Sequence, residues 1–240
     1  MADTEVALDA LTVVIRGHFN AAIFSPAWLL QENVIGPADF ARAEVEIITR
    51  DFASLETGWL MCQVTPEAMQ LSTTEPDDFE RLRDAAVSIL TALPHTPVAV
   101  LGVNREMHFK ARDQDHYQLI GDRLAPKEFW EQTMNLPVMR EIVMWGQRDS
   151  NFGGRTQVKV EPSFRFDEHV FVSHSDQFNL HLIEERPSNR REAWTLEADQ
   201  NQRVEALATN IPIVNDILAN EWHSSLSHAN TVLQAIANIS

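Results

Sequence analysis

The sequence lacks most of the features that assign a chain to a specialised class. It contains a single cysteine, Cys62, among 240 residues, which excludes an internal disulfide and a zinc cluster built on thiolates and favours a reducing compartment. Its longest apolar runs, such as residues 98–103, are far shorter than the ~20 residues that a membrane-spanning helix requires. The first residues show no basic segment followed by an apolar one, so we expect no secretory signal and a cytoplasmic location.

Positive charge is also scarce. The chain has 19 lysines and arginines against 35 aspartates and glutamates, which gives a net charge of −16 and a pI near 4.9. A protein that binds a phosphate backbone needs a basic face, so we expect neither a nucleic-acid nor a membrane partner. The densest cationic group, Arg186, Arg190 and Arg191, lies in a polar stretch. With 44% apolar and 22% charged residues the chain is typical of a globular protein.

Motifs of the common catalytic and nucleotide-binding sites are missing as well. The chain has no Gly-x-Ser-x-Gly elbow, no Gly-x-Gly-x-x-Gly loop, no Gly-Lys followed by Ser or Thr, and no His-x-x-x-His pair. His223 and His228 are five residues apart, about 140° around a helix, so they cannot chelate one ion together. We therefore expect no catalytic residue, cofactor or metal.

Periodicity predicts the elements of the first half. Apolar and polar residues alternate over 11–24, which indicates a strand with one covered face. A short helix over 27–32 follows, and Ser25-Pro26 precedes it. The next elements are three strands with short polar connections, at 43–51, 57–64 and 67–73, and an amphipathic helix over 77–93.

The second half repeats this order. It begins with a strand at 97–110, and the predicted elements after it are helices at 113–124 and 126–134, strands at 137–148, 154–166, 169–174 and 178–184, a polar loop at 185–191 and a long last helix that begins near Asn210. We predict an α+β fold with two antiparallel sheets, each backed by helices, and domains at 1–95 and 96–240. Both halves open on a strand with a central glycine, Gly17 or Gly102, which suggests an internal duplication.

Part of the first half resembles the SecB-type export chaperones. Residues 45–64 contain Ala53-Ser54-Leu55 and the triplet from Cys62 to Val64, and a helix and the strand 97–104 follow. The resemblance covers roughly residues 10–110 and also includes the acidic composition. It implies a four-stranded antiparallel sheet, binding of unfolded chains in apolar grooves between sheet and helix, and assembly through sheet edges and helices.

The overall layout is also similar to that of uncharacterised bacterial proteins of this size. The residues that carry this second resemblance are the segment 173–178 and the pair Glu221-Trp222 on the last helix. It implies an alternative function as an accessory subunit of a bacterial phage-defence or toxin–antitoxin assembly.

The residues that we predict to contact a partner are apolar. Trp28, Leu29, Leu30 and Ile35 could line a groove, although the same short helix could simply cover one edge of its sheet. Trp222 lies on the apolar stripe of the last helix. It is a core residue if that helix packs on its own sheet, and a dimer contact if the sheet is already covered.

Two clusters support a rival interpretation as an enzyme. His169, His174, Asp176 and His181 lie within thirteen residues, and His174 could meet His181 across a hairpin with Asp176 in the turn. Imidazole and carboxylate are metal ligands, so this cluster makes a metal-dependent hydrolase the second alternative.

The second cluster is Glu106 with His108, which lie two residues apart on one face of a strand and could act as an acid/base pair. A solvated outer sheet face explains the same alternation. Cys62 lies in an apolar strand and is predicted to be an inert buried thiol. Our leading prediction is a non-catalytic, chaperone-like protein that binds another polypeptide or forms a homo-oligomer.

Overall fold

The structure, a computed structural model, describes residues 5–148, 152–182 and 205–240. The polar loop predicted at 185–191, with Arg186, Arg190 and Arg191, lies outside these ranges. The elements confirm the α+β class. The strands are β1 (Val6–Gly17), β2 (Glu44–Ile48), β3 (Ala53–Glu56), β4 (Met61–Val64), β5 (Ala68–Thr73), β6 (Val98–Lys110), β7 (Ile142–Gln147), β8 (Phe152–Pro162) and β9 (His169–Leu182). The helices are α1 (Pro26–Gln31), α2 (Pro37–Phe40), α3 (Phe79–Ala92), α4 (Gln114–Leu124), α5 (Ile211–Asn220) and α6 (Trp222–Ala237).

The nine strands in the described ranges belong to one antiparallel sheet, in the order β2-β3-β4-β5-β1-β6-β9-β8-β7. The prediction of two separate sheets is therefore wrong. The halves join where β1 pairs with β6, from the pair Leu8↔His108 to the pair Arg16↔Val100. A single sheet is favoured over two smaller ones. In separate sheets β1 and β6 would each be an edge strand with a row of unpaired backbone N–H and C=O groups.

The two halves share their connectivity within this one sheet. Each begins with a long strand, β1 or β6, and the last strand of the following meander returns to pair with it: β5 on β1 and β9 on β6. The strand order is thus mirrored about the β1–β6 pair. The predicted domain boundary falls in the connection between α3 and β6, and the internal duplication stays a prediction.

Turns divide the predicted strands of the first half more finely. The strands predicted at 43–51 and 57–64 shorten to β2 and β4, and an unpredicted strand, β3, forms in the connection between them. The Ala53-Ser54-Leu55 triplet therefore lies in a strand and not in a connection. The turn after β3 contains Gly58, whose φ of 75° is a left-handed conformation that favours glycine. β1 ends earlier than predicted, at Gly17, where a Cβ atom would collide with the backbone carbonyl of Pro97.

In the second half the largest difference is β9. The strands predicted at 169–174 and 178–184 form one strand, His169–Leu182, because its residues pair on both sides, with β6 and with β8. The helix predicted at 126–134 shrinks to a single 3-10 turn, Trp130–Gln132. The long last helix is interrupted at Glu221, between α5 and α6.

The helices that contribute to the apolar core pack on one face of the sheet, which we call the covered face. Leu11, Val13 and Ile15 of β1 point to it and are fully buried. A first cluster joins β1, β3, β4 and β5 to α1, α3 and α5. A second joins the far ends of β6, β8 and β9 to α4 and the C-terminal part of α6. In the ranges that the structure covers, no helix is long and apolar enough to cross a membrane.

Candidate functional site

The five residues predicted to contact a partner lie in or against the chain's own core. Leu29, Ile35 and Trp222 are buried, and Trp28 and Leu30 are partly buried against the same first cluster. The indole Nε1 of Trp222 donates a hydrogen bond to Oε1 of Glu80 at 2.9 Å. Trp222 is therefore a core residue that joins α6 to α3, and an accessible docking surface has to be built from other side chains.

The predicted hairpin between His174 and His181 is wrong, because β9 runs through this region without a turn. His174 and Asp176 point instead to the covered face, beneath α6. The side chain of His181 lies outside the described residues. Among the residues that the structure does describe, no group of three His, Cys, Asp or Glu side chains is placed to hold a metal ion.

Asp176 is fully engaged in an ion pair. Nη2 of Arg148 lies 3.2 Å from Oδ2 of Asp176, and Nε of Arg148 donates to the other carboxylate oxygen. The guanidinium also stacks over the ring of Phe178, with 3.3 Å between Cζ and the ring centre. Arg148 and Asp176 are both buried. The pair fastens the residue after β7 to the middle of β9, because removal of either partner would leave the other charge buried and uncompensated.

His174 is buried, and neither of its ring nitrogens has a hydrogen-bond partner. Its ring packs edge to face against the exposed His228 of α6, with 4.8 Å between the ring centres. Burial lowers the pKa of His174 to about 4; the neighbouring His228 and Arg148 act in the same direction, and Asp176 opposes them. His174 is thus a neutral imidazole at pH 7, and its environment does not prepare it to accept a proton.

A second ion pair lies beside His174, on the neighbouring strand β6. Arg105, its partner in the register of β6 and β9, donates from Nε and Nη2 to the two oxygens of Asp9, at 2.9 and 2.7 Å. Arg105 also bonds to Asn230 of α6. These polar groups form a layer between the two apolar clusters and attach α6 to the sheet, which is a structural role.

Glu106 and His108 share one face of the sheet, as predicted, and it is the face opposite the covered face. Nδ1 of His108 lies 2.8 Å from Oγ of Ser163, and this oxygen accepts hydrogen bonds from the backbone N–H groups of Arg165 and Phe166. Burial lowers the pKa of His108 and raises that of Glu106. The contacts of His108 hold the loop after β8 against the sheet.

Cys62 is buried on β4, and burial raises its thiol pKa to about 12. A thiol with such a pKa carries no thiolate at neutral pH and is a poor nucleophile. The structure therefore agrees with the prediction that this cysteine is inert.

Among the described residues, several exposed large apolar side chains lie on the connection between α4 and β7, residues 125–141, which we call the apolar loop. Five large apolar side chains on it are exposed: Phe129 at 65%, Trp130 at 45%, Met134 at 51%, Leu136 at 84% and Val138 at 83%. Exposed large apolar side chains that are concentrated on one segment indicate a surface that contacts a partner. We regard this loop as the candidate functional site.

The apolar loop is fixed at its start and opens outward at its tip. Nζ of Lys127 donates to the carbonyls of Gly121 and Ala125, at 3.2 and 2.7 Å, which fastens the loop to the C-terminus of α4. Near the tip Leu136 adopts φ of 49°, a conformation that residues other than glycine rarely take. The helix predicted over 126–134 would have buried one side of this segment, so that prediction did not indicate an exposed site here.

A signal for the exposed loop was nevertheless present in the sequence. Trp130, Met134 and Val138 recur at four-residue spacing, but Pro126 and Pro137 bracket the segment, and Pro137 prevents a helix from extending through Val138. Met134, Leu136 and Val138 also alternate at the two-residue spacing of a strand, so the segment mixes two short patterns and favours neither a single helix nor a single strand.

The comparisons with known proteins place the chain in no family. No protein-family model and no curated protein matches it. The resemblances to SecB-type chaperones and to uncharacterised bacterial proteins therefore remain predictions.

Proposed function

We propose that this protein is a non-catalytic, chaperone-like protein that binds non-native polypeptide segments through the apolar loop. The observation that carries the proposal is the exposure of Phe129, Trp130, Met134, Leu136 and Val138 on one connection. Each square ångström of apolar surface removed from water contributes about 25 cal/mol, so these side chains offer a substantial driving force for association.

The composition of the loop suits partners of varied shape. Aromatic side chains supply large contact areas at a small cost in conformational entropy. The side chain of Met134 is flexible and polarisable, and such side chains adapt to irregular apolar surfaces. A site of this kind selects for exposed apolar residues rather than for one sequence.

The charge of the chain supports the same function. A net charge of −16 keeps the protein and its complexes soluble and disfavours acidic partners. We therefore expect unfolded chains that are basic or neutral to bind better than acidic ones, and this preference to weaken as salt screens the charges.

The proposal is tested with fluorescently labelled hen lysozyme, reduced and alkylated so that it stays unfolded at neutral pH. Fluorescence anisotropy should show saturable binding to the wild-type protein. The variant Leu136→Ser should bind at least severalfold more weakly. Phe164→Ser is the matched control: Phe164 is also exposed, at 79%, but it lies in the loop after β8, so this change should leave binding unaltered.

Native lysozyme separates apolar recognition from simple attraction of opposite charges, because it has the same basic side chains but a folded core. The proposal predicts that native lysozyme does not compete. Equal binding of native and unfolded lysozyme, or equal effects of Leu136→Ser and Phe164→Ser, would contradict it.

A further inference from the structure

The ring of His174 is enclosed between the sheet and one helix. His174 lies on β9, and α6 packs on β9 and β6 and places His228 against the ring. His174 is 1% exposed, and neither of its ring nitrogens has a hydrogen-bond partner. A buried polar group without a partner loses the hydrogen bonds that water would give it, so the closed position of α6 leaves this imidazole unsatisfied.

A proton on His174 would find the nearest carboxylate already occupied. Asp176 lies two residues further along β9, on the same face, and the guanidinium of Arg148 is bound to it. Nη2 of Arg148 also lies 3.9 Å from Oε2 of Glu221, at the start of α6. A buried cation without a free anion is strongly disfavoured, so the closed structure resists protonation of this ring.

The other elements around the ring supply further positive charge or none. On β6, Arg105 lies opposite His174 and is bound to Asp9 of β1. On β8, the residue opposite His174 is the uncharged Val158. From α6 comes His228, which becomes a further cation when it binds a proton. The charged groups of the described residues around the ring thus include two arginine–aspartate pairs that are balanced without a proton on it.

The two sides of this contact are held with unequal strength. The strand β9 bonds through its backbone to β6 on one side and to β8 on the other. The helix α6 is attached to the sheet by side chains, among them Asn230, which bonds to Arg105. Leu233 and Ile236 add apolar contacts in the second cluster. A charge between strand and helix therefore displaces the helix more readily than the strand.

We propose that protonation of His174 in mild acid releases α6 from the sheet and uncovers the apolar residues beneath it. Those residues are Phe109 of β6, Val160 of β8 and Val172 of β9, all buried in the second cluster. α6 has 16 residues, and isolated helices of roughly this length are marginal in water, so the released helix should also unfold. This inference is independent of the proposed polypeptide binding, which depends on the apolar loop.

Thiol labelling measures the release. Ala229→Cys puts a thiol in the middle of α6, where Ala229 is 2% exposed. The native Cys62, buried on β4, reports opening of the first cluster in the same molecule. Dithiodipyridine labels both thiols in acid as well as at neutral pH, and the rate relative to that of a short cysteine peptide at the same pH gives the opening constant at each position.

The expected change follows from the two environments of the ring. The pKa of His174 is about 4 when it is enclosed and about 6.5 when it is solvated. Opening at position 229 should therefore increase about twentyfold from pH 7 to pH 5, and at pH 5 this position should label faster than Cys62.

Two histidine variants, each made in the Ala229→Cys chain, identify the group that titrates. His174→Leu should label equally at the two pH values after correction for the reagent. His108→Leu is the matched control: His108 is also a buried histidine, but it lies on the opposite face of the sheet, so this variant should keep the pH dependence. Leu136→Ser should keep it as well, so a failure of the proposed polypeptide binding is distinguishable from a failure here.

Three results of the labelling would overturn the proposal. They are an opening constant that does not change with pH, equal labelling of position 229 and Cys62 at pH 5, and a pH dependence that persists in His174→Leu.

Hydrogen exchange makes the comparison on the unsubstituted protein. The amides in the middle of α6 should lose protection about twentyfold from pH 7 to pH 5, and at pH 5 they should be less protected than those of β1. Equal protection of α6 and β1 at pH 5 would show that the chain opens only as a whole, and it would likewise overturn the proposal.

Discussion

The ring of His174 lies edge to face against the ring of His228, with 4.8 Å between the ring centres. The first is buried on the sheet and has no hydrogen-bond partner at either nitrogen, and the second is exposed on α6. A proton on His174 would place a charge under this helix, close to the Arg148 guanidinium. The contact between α6 and the sheet should therefore depend on pH.

We expect His174 to reduce stability in mild acid. In the unfolded chain it takes up a proton below about pH 6.5, whereas in the folded chain its pKa is about 4. Between these values the unfolded state binds more protons, so the free energy of unfolding falls as the pH falls. The shift corresponds to about 2–3 kcal/mol by pH 4.5. Urea unfolding at several pH values should show this slope reduced in His174→Leu; identical slopes for both proteins would contradict the prediction.

Removal of only one partner of the Arg148–Asp176 ion pair beneath α6 should lower the free energy of unfolding. Arg148→Met leaves the Asp176 carboxylate buried without its cation, and such changes typically cost about 3–5 kcal/mol. The double variant Arg148→Met/Asp176→Leu removes both charges and should recover much of this loss. Chemical denaturation of the single and double variants measures the difference. A double variant as unstable as the single one would show that the pair acts through packing alone.

Replacement by alanine should lower stability more at Gly17 than at Gly102, the two glycines in the first strands of the halves. A Cβ atom at Gly17 would collide with the backbone carbonyl of Pro97, which cannot move aside cheaply, whereas at Gly102 its nearest neighbour would be the amide of Asn104 at 3.5 Å. We expect Gly17→Ala to cost roughly 1–3 kcal/mol or more, as overpacking does, and Gly102→Ala to cost little. Thermal unfolding of the two variants makes the comparison, and equal losses would refute it.

Variants of two tryptophans should separate effects on stability from effects on polypeptide binding. Trp222 is buried and hydrogen-bonded to Glu80, so Trp222→Ala should cost about 3–5 kcal/mol. Trp130 is exposed on the apolar loop, so Trp130→Ala should change stability by less than about 0.5 kcal/mol while it weakens binding of unfolded lysozyme. Denaturation and anisotropy measured on both variants test the assignment; normal binding by Trp130→Ala would contradict it.

Local periodicity predicted much of the secondary structure. The alternation of apolar and polar residues in β1 and β6 and the helical stripe of α3 were sufficient to predict these elements. Each element buries one face, so its apolar residues recur at the spacing of a strand or of a helix. β9 was divided wrongly. Its central residues Ser175, Asp176 and Gln177 are polar, and they look like a turn until their pairing with both β6 and β8 is known.

The candidate site was harder to predict than the fold. Leu29, Ile35 and Trp222 are the apolar residues that a docking groove needs, but they are also those that a core needs, and burial decides between the two. The exposed residues of the apolar loop, such as Leu136, have the same chemistry. Only the position of the loop in the tertiary structure, after α4 and outside the packed core, distinguishes them.

The sequence by itself determined the α+β class, the acidic charge, the single cysteine and the positions of most strands and helices, because these follow from composition and from spacings of a few residues. The tertiary structure decided that β1 and β6 join the halves into one sheet, and that Trp222 is enclosed and Trp130 exposed. Those outcomes depend on contacts between segments far apart in the chain, where similar apolar patterns compete for the same partners and only the assembled fold selects among them.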